Sequence, residues 1–183
     1  GLGRRRRAAD IVREVTSGPR AMVLDADALN HLAAAPDHFR PGAPSVMTPH
    51  PGEFRRLAAP LNLDGDPTDE ADRPRLAGEL ARAYGATVIL KGRHSIVTDG
   101  DCVFTNRTGN PALATAGSGD VLTGAVAALM AQGLAPFDAA VLGAHLHGAA
   151  ADLWRDAHGA SGLTARDLAD LLPDAFEAAR CAS

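Results

Sequence analysis

Three short apolar runs, at residues 21–24, 45–48 and 87–90, alternate with stretches whose apolar residues recur at helical spacing. Runs without polar alternation suit strands covered on both faces, and strands separated by helices pair in parallel. The pattern therefore restricts the chain to an α/β sheet with helices packed on it. The helical stretches begin with 5–15, which places Ala8, Ile11, Val12 and Val15 on one face before Ser17-Gly18-Pro19 stops it. Others are predicted at 28–34, from Gly52, and at 74–84, 121–132, 136–154, 165–172 and 174–182, with Gly85 and Gly133 as stops and Thr164 as a cap. Residues 95–98 and 102–105 read as a hairpin around Asp99-Gly100-Asp101, which puts Cys102 in a strand. The polar segment 62–72 reads as a loop free to move.

Ligands of open α/β sheets gather at the carboxyl ends of the strands. The first run ends at Asp25 and leads to Asp27 and Asn30, the second leads into Pro49-His50-Pro51-Gly52-Glu53, and the third into Lys91-Gly92. A carboxylate just past a strand serves a magnesium ion or a sugar hydroxyl, or it caps the next helix; Asp25 and Asp27 fit either use, and Asn30 is equally open. Prolines on both sides of His50 fix its backbone and favour contact with a substrate. Lys91 either neutralises nucleotide phosphates or is solvated, and Gly92 lets a ligand approach the backbone.

The stretch 110–124, Asn-Pro-Ala-Leu-Ala-Thr-Ala-Gly-Ser-Gly-Asp-Val-Leu-Thr-Gly, concentrates the chemistry. Its small residues at 114–119 leave backbone N–H groups open to an anion, Asp120 follows, and the helix after it points a positive dipole end at the same place. A lone G-x-G-D is also what a tight turn with a helix cap looks like.

Taken with four other segments in the same order, this stretch resembles the signature of ribokinase-like kinases, and more closely the branch of ADP- or ATP-dependent NAD(P)H-hydrate dehydratases. The other segments are Gly1-Leu2-Gly3, 23–30 (Val-Leu-Asp-Ala-Asp-Ala-Leu-Asn), 47–53 (Met-Thr-Pro-His-Pro-Gly-Glu) and 89–95 (Ile-Leu-Lys-Gly-Arg-His-Ser). The resemblance implies a ribokinase-like three-layer α/β/α sandwich with a mostly parallel sheet, one domain over 1–183 whose N-terminal part is missing. It implies that ATP or ADP phosphorylates the C6 hydroxyl of the S epimer of hydrated NADH or NADPH, NAD(P)HX, and that loss of phosphate restores NAD(P)H. Asp120 is then the catalytic base, and Gly1, Gly3, His50, Glu53 and Asp120 line the NAD(P)HX end. The nucleotide end comprises Lys91, Gly92, Arg93, His94, Ser95, Asn110, Ala114, Thr115, Ala116, Gly117, Ser118 and Gly119, although Arg93 and His94 occupy variable positions. Magnesium is implied with the nucleotide, bridged mainly by phosphates, with Asp25 as a candidate ligand. An NAD(P)H-hydrate epimerase, separate or fused upstream, is the implied functional partner, and a homo-oligomer is the expected state.

The rest of the composition narrows the alternatives. A net charge of −4 gives no footprint for nucleic acid, and the basic run 4–7 faces solvent or a phosphate. No apolar run is long enough to span a membrane and 8–13 is too polar for a signal peptide, so a cytoplasmic protein with reduced Cys102 and Cys181 is expected. Aromatics make up only 4%, so the core has to be closed by aliphatic and small residues, above all along 136–154. His145 and His147 are two apart on that helix and cannot share a face, so both read as structural. Two other readings stay open: a kinase for a small alcohol or vitamin precursor, and a catalytically silent binding or assembly module that uses 136–154 as an interface.

Overall fold

The computed structural model describes residues 6–36 and 41–181. Its sheet runs in the order β1 (Met22–Leu24), β2 (Ser45–Met47), β3 (Thr87–Leu90), β4 (Ile96–Thr98) and β5 (Val103–Thr105). β1, β2 and β3 are parallel, with Val23 opposite Val46 and Met47 opposite Val88, and β4 and β5 add an antiparallel hairpin. The sheet is thus mixed: parallel where helical crossovers intervene, antiparallel where a tight turn does. Asp99 closes that turn by accepting the N–H groups of Asp101 and Cys102, at 3.0 and 2.8 Å. Cys102 therefore belongs to the turn and is exposed, a correction to its expected place in the strand.

Side chains alternate across a strand, and this decides the layers. Leu24, Met47, Val88, Leu90 and Ile96 enter one core with α1 (Arg6–Thr16), α2 (Asp27–Ala34), α3 (Pro51–Ala58) and α4 (Arg73–Tyr84). Val23, Val46, Ile89, Val97 and Phe104 enter the other, with α5 (Ser118–Ala131) and α6 (Pro136–His158). The result is the expected three-layer sandwich. A third cluster joins α6 to α7 (Ala165–Asp170) and α8 (Leu172–Cys181) through Leu146, Ala150, Leu168 and Ala175. Small residues let these helices approach: a Cβ on Gly143 would lie 2.6 Å from Val126 Cγ2, and one on Gly148 would lie 2.7 Å from Thr108 O.

Two helix boundaries and one loop differ from expectation in ways that bear on the site. α5 starts at Ser118 because Gly117, at φ 85°, takes the left-handed turn, so Asp120 lies inside the first helical turn instead of ahead of it. α6 continues past Trp154 to His158, whose rings stack at 4.1 Å before Gly159 ends the helix. The segment 62–72 is tied down: Asp66 accepts from Thr68 N, Thr68 Oγ1 and Arg55 Nη2, and Asp72 accepts from Asp66 N. No helix among the described residues is long and apolar enough to cross a membrane.

Candidate active site

The three parallel strands end side by side, and backbone bonds lock their exits together. Thr48 N donates to Leu24 O at 3.1 Å, and Lys91 N donates to Pro49 O at 2.9 Å. Asp25, His50 and Lys91 are thereby delivered to one edge. Lys91 Nζ donates to Asp25 Oδ1 at 2.9 Å and lies 4.0 Å from Glu53 Oε2. Thr123 Oγ1 of α5 donates to Asp25 Oδ2 at 3.2 Å. The side chains of Asp25 and Lys91 are 12% and 22% exposed, so water screens the pair only in part. Asp25 is not a helix cap: the residue before α2 is Ala26, at φ 52° and ψ −118°, and no side chain caps that helix. This strained non-glycine backbone sits at the strand exit, where functional sites commonly hold such conformations.

His50 and Glu53 form a reciprocal cap on α3. His50 Nδ1 accepts from Gly52 N and Glu53 N, and Glu53 Oε2 accepts from His50 N. The buried Glu53 carboxylate is thus aimed by the helix start, while the His50 ring is half exposed with its Nε2 3.6 Å from Glu53 Oε1.

The small-residue loop arches over the ion pair. A Cβ on Gly119 would stand 3.5 Å from Lys91 Nζ and 3.6 Å from Asp25 Oδ2. Among the described residues the N–H groups of Ala116, Gly117 and Gly119 have no protein acceptor, whereas Asp120 N and Val121 N both donate to Gly117 O. Free donors at a helix N-terminus next to a cationic side chain form an anion cradle. Asp120 beside it is exposed and its carboxylate makes no hydrogen bond or ion pair among the described residues, while its Oδ2 lies 4.0 Å from the place of a Cβ on Gly117. A carboxylate unspent on structure, next to an anion cradle, is placed to accept a proton from an alcohol.

His147 supports the cradle from α6. Its Nε2 stands 2.9 Å from Ser118 O, and since a carbonyl only accepts, Nε2 carries the hydrogen. Burial holds the imidazole below its ordinary value, the Ser118 bond opposes this, and the Lys91 cation adds to it. Ser118 Oγ in turn donates to Leu113 O at 2.8 Å.

Several of the residues singled out in the sequence meet here: Asp25, His50, Glu53, Lys91 and Gly119, with Gly92 following Lys91 and Gly117, Ser118 and Asp120 flanking Gly119. Asn110 spends its side chain on the fold, accepting from Ala112 N and donating to Ala151 O and Asp152 Oδ1. Arg93 and His94 point to Glu70, with His94 Nδ1 3.2 Å from Glu70 Oε1. Ser95 Oγ donates to Gly92 O at 3.1 Å and so shapes its own loop. Gly1 and Gly3 lie outside the described residues. Thr123 and His147 were not picked out for the site. Thr123 lies one turn beyond Asp120 on a helix, a signal that spacing alone carries; the contact of His147 with Ser118 spans 29 positions and has no local signature.

Comparison with known proteins gives a consistent assignment. Residues 1–174 match the Carb_kinase family, described as NAD(P)H-hydrate dehydratase. The chain is 45% identical to the bifunctional NAD(P)H-hydrate repair enzyme Nnr of Moorella thermoacetica, over 94% of this chain and 32% of that one. It is 43% identical to the ADP-dependent (S)-NAD(P)H-hydrate dehydratase of Neisseria meningitidis serogroup B, over 92% of this chain and 58% of that one. A crystal structure of the ADP/ATP-dependent NAD(P)H-hydrate dehydratase of Bacillus subtilis, co-crystallised with ATP/Mg2+ and soaked with CoA, superposes with a TM-score of 0.80. It is 34% identical, over 93% of this chain and 61% of that one. The chain thus spans about a third of the first relative and about three-fifths of the other two. Its fold is ribokinase-like, and the chain belongs to the NAD(P)H-hydrate dehydratase family.

Proposed function

We propose that this chain carries the catalytic cleft of an ADP- or ATP-dependent (S)-NAD(P)H-hydrate dehydratase, acting in the cytoplasm. The observation that carries the reading is the free Asp120 carboxylate beside unpaired N–H groups of Ala116, Gly117 and Gly119, above Lys91. In this reading the nucleotide lies along 91–95 and the loop 110–119, with its terminal phosphate over residues 116–119. As a phosphoryl group transfers, charge gathers on its oxygens, and donors already aimed at them need no rearrangement. Asp120 takes the proton of the C6 hydroxyl as oxygen attacks phosphorus and the phosphoanhydride bond breaks. The C6–O bond then breaks, the ring nitrogen's lone pair assists, phosphate leaves and a proton departs C5, which restores the dihydronicotinamide.

His50 and Glu53 stand at the NAD(P)HX end, Glu53 through its fixed carboxylate and His50 through its half-exposed ring. The residues present fit magnesium: two carboxylates, Asp25 and Glu53, converge on a single ammonium, a net negative cluster that a divalent cation held by phosphates would complement. When bound with the nucleotide, magnesium supplies neutralisation of phosphate charge. An NAD(P)H-hydrate epimerase would supply the S epimer from the R epimer, and self-association into a homo-oligomer belongs to the same proposal.

The test is direct. Protein mixed with NADHX, ATP or ADP and magnesium should regenerate the absorbance of NADH, and one nucleoside phosphate should be cleaved per NADH formed. Nucleotide cleavage with a small alcohol and none with NADHX would transfer the cleft to an alcohol kinase. Failure of ATP with magnesium to raise the melting temperature would point to a silent module.

A further inference from the structure

Arg73, the first residue of α4, lies in an electrostatically adverse place. It is 3% exposed, no carboxylate stands within ion-pair distance among the described residues, and a helix N-terminus already carries partial positive charge. Burial pulls its guanidinium below the ordinary value, opposed only by the more distant Glu70. A residue retained only for architecture would gain from replacement by an apolar side chain of similar volume, because buried ions are often outperformed by well-packed hydrophobic groups.

Its hydrogen bonds show what the charge is set against. Arg73 Nη2 donates to Leu90 O at 2.8 Å, Nη1 donates to Pro67 O at 2.9 Å, and Nε has no partner among the described residues. Leu90 ends β3, and the N–H of the following Lys91 is held by Pro49 O, so the peptide unit that launches Lys91 is fixed at both its carbonyl and its N–H. The guanidinium then lies against Gly92, at φ 147°, where a Cβ would meet Nη1 at 2.8 Å and Nη2 at 3.2 Å. Three residues before Arg73, Glu70 reaches His94 and Arg93, so the segment 67–73 grips 90–94 at two points.

We infer that Arg73 is the positioning residue of the nucleotide end of the cleft. It holds the Lys91–Gly92 backbone in the shape that receives a nucleoside di- or triphosphate, and the ligand's phosphates complement its otherwise unmatched charge. The inference rests on the assignment of 91–95 to nucleotide binding above. An anion seated over Lys91 and Gly92 supplies the counter-charge that the fold withholds, and this offsets the cost of burying the cation.

R73K and R73M, compared with the unaltered protein, test this in steady-state kinetics with NADHX and ATP–magnesium and in melts with and without ATP–magnesium. Lysine keeps the charge but not the fork, so R73K is expected to raise KM for ATP about tenfold while KM for NADHX moves less than about twofold. R73M is expected to abolish the ATP-induced rise in melting temperature. KM for ATP within about twofold of the parent in both variants overturns the inference, and so does an equal rise in both KM values, the mark of a purely structural residue. If R73M does not fold, R73K decides alone by the same two values; if neither folds, the role is architectural and the inference falls. If the unaltered protein does not convert NADHX, that failure belongs to the proposed reaction. The ATP-induced melting shift, expected smaller in R73K than in the parent and overturning if equal, still tests Arg73.

Discussion

Asp120, with its carboxylate unspent beside the cradle, and His147, bonded to Ser118 O, are expected to respond to substitution in opposite ways. Asp120 is exposed and its carboxylate bonds nothing among the described residues, so Asp120→Asn should leave the melting temperature unchanged while lowering kcat by about a hundred- to ten-thousand-fold, the usual worth of a positioned base. A large loss of stability with little loss of rate would remove Asp120 from the chemistry. His147 is 9% exposed and its Nε2–H is the side-chain donor to Ser118 O. His147→Ala removes that side-chain donor and empties a buried position, and should cost about 1–3 kcal/mol. The sign of its pH dependence follows from burial. The folded-state value lies below the ordinary 6.5, so above pH 6.5 both states are neutral and stability is intact. As pH falls below 6.5 the unfolded chain takes up a proton that the folded chain refuses, and stability declines until the folded-state value is passed. Denaturant unfolding of the parent and of His147→Gln across pH 5–8 should show the parent losing more over the acid limb; parallel curves would refute the assignment.

Among the elements, α6 shows how the site is backed. With few aromatics available, α6 closes on α5 and on the 106–110 segment through Gly143 and Gly148, and Asn106 and Thr108 bond its carbonyls at Ala144 and His145. Gly148→Ala would push a methyl into the Thr108 backbone, at 2.6 Å from its carbonyl carbon, where no flexible side chain can yield. The expected cost of about 1–3 kcal/mol lowers the melting temperature by about 2–12 °C, measurable by calorimetry, and an unchanged value would show that the helix shifts freely. The small-residue pattern of α6 was readable in the sequence because close approach demands it. What it approaches was not, since Gly148 and Thr108 are brought together only by tertiary folding. Strand existence was readable from β-branched apolar runs, and the carboxyl-edge rule placed Asp25, His50 and Lys91 together. The start of α5 was misplaced because a left-handed Gly117 lets the helix begin earlier than its apolar periodicity does. Arg73 fell between the loop 62–72 and the helix expected at 74–84, and nothing in the residues flanking Pro74 tells that Leu90 O lies within its reach.

At the scale of the whole molecule, the cleft is where both helical layers are tied to the sheet through one ion pair. Asp25 leaves β1, Lys91 leaves β3, Glu53 comes from the α3 layer and Thr123 from the α5 layer on the opposite face. A pair of this kind, mostly withdrawn from water, is worth little as a pair but costs much when halved, because the remaining charge keeps its burial without a partner. Among the described residues, Asp25→Asn leaves Lys91 with only Glu53 at 4.0 Å, and Lys91→Met leaves Asp25 with only the Thr123 hydroxyl. Each single change should destabilise by about 2–4 kcal/mol, toward the lower end of buried pairs because Lys91 retains some exposure. The double change should cost less than the sum by about 1–3 kcal/mol, since it removes both charges together. Urea unfolding of all four proteins closes the cycle. A coupling near zero would mean that solvent already screens the pair, and Lys91 would then be free to meet a phosphate without first surrendering Asp25. A large coupling means that nucleotide binding has to replace that contact, so the affinity for ATP should rise in Asp25→Gln wherever a phosphate can take over the freed ammonium, and fall wherever magnesium needs the lost carboxylate. Titrating Asp25→Gln with ATP in the presence and absence of magnesium separates those two contributions of one side chain.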